Sequence, residues 1–183
     1  ISECLVGSEM CIRDRLNTNA NAFSRAYAEE GMKLWASCKG CLETEERFAQ
    51  MTDDEFSTFM QASVLAGMAI AYTGTSIPHG LSYTLTYENG VPHGKAVGVF
   101  LSGFLKKYGD STEVEYVVKQ LLGFDDIDTF RDYIRTLFGK LDMSEKLWKK
   151  DRDGILANPA KLKNYPFELT ADMLDDYVRY YNA

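Results

Sequence analysis

The sequence is poor in several things at once: two histidines, two tryptophans and four prolines in 183 residues. Basic side chains are also in deficit, 20 against 27 acidic ones, for a net charge of −7. That balance argues against nucleic acid as a partner, because the basic cluster Lys146, Lys149, Lys150 and Arg152 is outweighed by acidic neighbours and reads as a solvated helix face. No apolar run is long enough to cross a bilayer. The longest nearly unbroken one, Val64 to Tyr72, falls well short of the ~20 residues a spanning helix needs, so no membrane partner is expected. A basic start leading into an apolar stretch is missing as well, so no secretory signal is visible and a cytoplasmic setting is expected. In that setting the four cysteines read as free thiols rather than a disulfide framework. No alternating strand pattern, internal repeat or low-complexity stretch occurs. The expectation is a single all-α domain, a multi-helix bundle, large enough to bury roughly 70% of its unfolded surface.

Helical patterning is abundant. A first amphipathic segment runs from Ala22 to about Cys38 and closes near Gly40. Thr52-Asp53-Asp54-Glu55 is a capping-box pattern that opens a long second helix carrying Phe56, Phe59, Met60, Val64 and Met68. Gly67, Ala69 and Ala71 would let neighbours pack closely, so this helix is expected at the buried centre. Pro78 and Pro92 open two more helical pieces, separated by a Glu88-Asn89-Gly90 turn, and the second piece is expected to run to Gly109. Further segments occupy about 112–122, 126–138, 144–156 and 170–181.

The two histidines fall in matching contexts fourteen residues apart, Ile77-Pro78-His79-Gly80 and Val91-Pro92-His93-Gly94. Pro-His-Gly places proline where a first turn needs no amide donor and leaves the imidazole near the electropositive helix end. The pair reads as half a metal site, since a catalytic centre uses three or more protein ligands. Satisfied core or surface histidines are the alternative. Other patterns carry less. Cys38-Lys39-Gly40-Cys41 lacks the second thiol pair of a zinc knuckle. Gly90-Val91-Pro92-His93-Gly94-Lys95 is a residue short of a phosphate loop, and Asp151-Arg152-Asp153-Gly154 lacks the later glutamate of a calcium loop. Neither histidine has a nucleophile-elbow serine beside it.

The stretch from Ala66-Gly67-Met68-Ala69 through Ser76-Ile77-Pro78-His79-Gly80-Leu81-Ser82-Tyr83 to Pro92-His93-Gly94-Lys95-Ala96 resembles the iron-containing alcohol dehydrogenase family, in its C-terminal helical domain. The resemblance implies that His79 and His93 are ligands of a divalent metal, iron(II) first and zinc second. It also implies hydride transfer between a primary alcohol or aldehyde and NAD or NADP, the nucleotide being bound mainly by a domain absent from this sequence. The family's remaining ligands, an aspartate and a histidine four residues apart, belong to a helix that would end just before Asn17. That place holds Asp14 but no histidine. Tyr83 stands one turn after His79, where many relatives carry another histidine; its phenol could line the pocket or pass a proton. Residues 1–15 match nothing in the family's pattern, and the stretch from Cys4 to Arg15 resembles translated sequencing adapter. They are therefore expected to be non-native or disordered, with 16–183 the helical metal-binding catalytic domain. A dehydroquinate synthase-like metal-dependent lyase and a non-enzymatic helical interaction module are the alternatives, and a homo-oligomer is left open.

Overall fold

The computed structural model describes residues 2–108 and 111–183, with the backbone alone at 2–6, 8 and 161, and contains no strand among the described residues. The helices are α1 (Ser2–Arg15), α2 (Ala22–Cys38), α3 (Glu45–Ala49), α4 (Asp53–Thr73), α5 (Ile77–Asn89), α6 (His93–Lys106), α7 (Thr112–Glu115), α8 (Ile127–Phe138), α9 (Glu145–Leu156), α10 (Pro159–Leu162) and α11 (Ala171–Asn182). A 3-10 turn, Lys39–Leu42, extends α2, and a π-helical turn, Tyr116–Leu121, extends α7. The all-α bundle expected from the sequence is what forms. Helix α6 ends at Lys106, short of the expected Gly109, which lies outside the described residues.

Local chemistry sets most of the boundaries. The Thr52 hydroxyl accepts from the Glu55 amide while the Glu55 carboxylate accepts from the Thr52 amide, so α4 opens on the reciprocal cap written in its sequence. Asn21 and Asp126 cap α2 and α8 in the same way. At the α5–α6 turn Gly90 takes φ 67°, a conformation that costs glycine nothing and other residues a Cβ clash.

The centre of the bundle is α6, not α4. From Gly94 to Leu105 every residue except Lys95 is buried, and α1, α5, α8 and α11 all pack on it. Glycine makes two of these crossings possible. A Cβ at Gly103 would lie 2.6 Å from the Tyr177 Cα of α11, and one at Gly98 would lie 2.9 Å from the Phe138 ring of α8. Helix α4 buries Phe59, Ala62, Ala66, Ala69 and Thr73 but leaves Phe56, Met60, Val64, Met68 and Tyr72 half exposed. A helix that is apolar all round does not announce which side faces the core, and this is why the expected central position was wrong. No helix among the described residues is long and apolar enough to cross a membrane.

Within the stretch 1–15, read from the sequence as non-native or disordered, α1 packs against α2, α4 and α6 with Cys11 and Ile12 buried. It packs poorly in polar terms. Glu9, Arg13 and Asp14 are all buried, with Arg13 Nη2 3.0 Å from Asp14 Oδ1 and Arg13 Nε 3.7 Å from Glu9 Oε1, yet neither contact has hydrogen-bond geometry. Burial, only partly offset by the Arg13 charge, pushes the Asp14 carboxyl up to about 7.

Candidate metal centre

Two helix starts build the site. Helix α5 opens after Ser76 with Pro78 in its first turn, which places His79 third in the helix. Helix α6 opens directly after Pro92, so His93 is its first residue, and Pro92 precedes the helix instead of occupying the first turn. Because α5 and α6 pack on each other, the two rings meet. Their centroids are 4.6 Å apart at an interplanar angle of 82°, and the Nε2 atoms face each other at 3.1 Å.

That separation is chemically informative. Two imidazole nitrogens each about 2.1 Å from one cation lie roughly 3.0–3.4 Å apart for the bond angles of octahedral to tetrahedral coordination. The paired histidines therefore fit as two donors of a divalent metal. Among the described residues no group of three or more His, Cys, Asp or Glu side chains could hold a metal ion, so among them the pair stands as two donors. Asp14 is buried against Arg13.

The surroundings favour neutral imidazole. Burial, and then the proximity of His79, hold His93 below its ordinary pKa, with the Glu9 carboxylate opposing weakly. Glu9 Oε2 lies 3.6 Å from His79 Nδ1, on the side of the ring away from His93. Tyr83 is brought in as well: its ring is edge-on to His79 at 6.0 Å and parallel to His93 at 6.3 Å, and it is 41% exposed. Ser82 is a residue that sequence reasoning passed over. Its Oγ lies 2.8 Å from the His79 carbonyl oxygen and 3.4 Å from His93 Nδ1. The available signal was a hydroxyl three residues after a candidate ligand, on the same helix face.

The other sequence motifs stay apart from this centre. Cys38 and Cys41 are buried free thiols, and Asp151 is buried on α9 where it accepts a 2.7 Å hydrogen bond from the Thr84 hydroxyl. A cavity of about 300 Å³ lined by Lys106, Ser111, Val114 and Asp126 opens at the far end of α6. At 1.5 Å per residue that is about 20 Å from His93.

The sequence signature described as "Fe-containing alcohol dehydrogenase family, C-terminal" matches residues 15–153. The chain belongs to this family. It superposes on the crystal structure of an iron-containing alcohol dehydrogenase with a TM-score of 0.83 and 26% identity, covering 97% of this chain and 47% of that one. For the iron-containing alcohol dehydrogenase of Thermotoga maritima the TM-score is 0.82 at 25% identity, with 98% and 48% covered. The same fold occurs in sulfoacetaldehyde reductase from Bifidobacterium kashiwanohense, solved in complex with NAD+, at a TM-score of 0.78 and 24% identity, with 100% and 50% covered. The chain thus spans about half the length of the solved family structures it matches. The family match begins at residue 15, so α1 lies almost wholly outside it.

Proposed function

We propose that this domain forms the metal-binding side of an NAD- or NADP-dependent alcohol dehydrogenase acting on a primary alcohol and aldehyde pair. The observation that carries the proposal is the 3.1 Å approach of the His79 and His93 Nε2 atoms at the starts of two packed helices. His79 and His93 are the residues that would hold a divalent cation, iron(II) or zinc, alongside donors from outside these 183 residues. When bound there, such a cation supplies Lewis acidity toward the substrate oxygen. The nucleotide would be held mainly by a companion domain outside this chain.

The chain's own residues orient and shield. Burial favours the neutral form of His93, in which a ring nitrogen has a lone pair to offer. Tyr83, parallel to His93 and partly exposed, lines the side from which a small alcohol would enter and presents a phenol for hydrogen bonding to it.

Titration calorimetry of the chain with Zn2+, and with Fe2+ under anaerobic conditions, tests the proposal. One cation per chain is expected, and both His79→Ala and His93→Ala should abolish the heat of binding. Undiminished affinity and stoichiometry in either variant would overturn the ligand assignment.

A further inference from the structure

We infer that Ser82 is a positioning residue that holds His93 as the Nδ1–H tautomer, so that its Nε2 lone pair faces His79. Ser82 is fully buried on α5, and its hydroxyl has one proton to give. The His79 carbonyl oxygen, 2.8 Å from Oγ, can only accept, so that proton is committed to it. Toward His93 Nδ1, 3.4 Å away, the oxygen then has only lone pairs to offer, and the contact is favourable when Nδ1 carries the hydrogen. A neutral imidazole has one N–H. With it on Nδ1, the Nε2 atom that lies 3.1 Å from His79 Nε2 is the lone-pair nitrogen.

The geometry follows from helix spacing. Ser82 stands three residues after His79, so its side chain reaches back one turn to the carbonyl of residue 79. The ring of His93, arriving from the start of α6, meets the other side of the same oxygen. One hydroxyl thereby ties the backbone of one candidate ligand to the ring of the other, which is the role carboxylates and carbonyls usually fill behind metal-bound histidines. The purpose of this arrangement rests on the metal-ligand reading above, whereas the tautomer itself is a property of the metal-free chain.

With two histidines in the chain, long-range 1H–15N correlation of uniformly labelled, metal-free protein at pH 8 can resolve all four ring nitrogens, and His93→Gln assigns them. The expected spectrum has the His93 proton on Nδ1. Ser82→Ala should shift His93 to a mixture of tautomers and weaken Zn2+ binding about tenfold. Ser82→Thr, which keeps the hydroxyl, should restore both properties. A His93 proton found on Nε2 in the wild-type chain would overturn the inference, as would Ser82→Ala leaving the tautomer unchanged. The wild-type spectrum decides even if the threonine variant does not fold. A tautomer that responds to Ser82→Ala in a chain that binds no zinc would uphold the positioning role and count against the metal centre alone.

Discussion

Replacing Gly103 by alanine should destabilise the bundle, and replacing Gly67 by alanine should do the opposite. An added Cβ at 103 would lie 2.6 Å from the Tyr177 Cα, 2.8 Å from its Cβ and 3.0 Å from its Cγ. Carbon atoms in ordinary contact stand about 3.5–4.0 Å apart, so α6 and α11 would have to separate by about an ångström at their crossing. The nearest obstacle is backbone, which cannot swing aside as a side chain would. Overpacking of this kind costs about 1–3 kcal/mol or more, against a helix-propensity gain of at most ~1 kcal/mol. At Gly67, on the exposed face of α4, an added Cβ meets nothing within 4 Å. Only the propensity gain remains there, about 0.5–1 kcal/mol. The two variants should therefore differ by about 1–3 kcal/mol, with midpoints on the order of 2–12 °C apart for a domain of this size. Thermal and urea unfolding followed by circular dichroism would measure both. Equal or greater stability of Gly103→Ala relative to the parent would refute the close α6–α11 crossing.

The buried charges of α1 give a second test: Glu9→Leu, Arg13→Met and Asp14→Leu combined should leave stability unchanged or raise it by about 1–4 kcal/mol, because the charges are desolvated without good hydrogen bonds. A loss of more than ~2 kcal/mol in urea unfolding would show that the triad is properly paired. Raised carboxylates also make stability depend on pH. Asp14, pushed up to about 7, and Asp151, pushed up to about 6 chiefly by burial, retain protons in the folded chain that the unfolded chain releases near pH 4. Their contribution is therefore fully present below about pH 4 and is lost as pH rises toward 6–7. Between pH 8 and pH 5 the urea midpoint should rise, and Asp14→Asn should flatten that slope; a parent curve that falls toward pH 5 would contradict the sign. Thr52→Ala removes the hydroxyl that caps α4 and should cost about 1 kcal/mol, read from the same unfolding curves.

How much of this could be read along the chain varies from element to element. The starts of α2, α4, α8, α9 and α11 were readable because a cap acts over three or four residues, and its partners are neighbours in sequence. The two Pro-His-Gly triplets were readable for the same reason, and so was the glycine turn between their helices. The assignment of α4 to the centre failed because apolar content does not encode orientation. Helix α6 took that place through glycines that admit Tyr177 and Phe138, contacts between residues 40 or more positions apart. The helical packing of α1 was not legible in the stretch 1–15, read as non-native or disordered, since α1 is held by its contacts with α2, α4 and α6 and not by a pattern of its own.

Local hydrogen-bond chemistry and helical periodicity, both short-range, determined from sequence alone the all-α class, most helix boundaries and the two histidines worth singling out. Tertiary structure decided that the Nε2 atoms approach to 3.1 Å, that Ser82 touches both residues and that Tyr83 lies alongside them. Those distances depend on how α5 crosses α6, and that crossing is set by the shapes of every side chain packed around α6, a property no single stretch of residues contains.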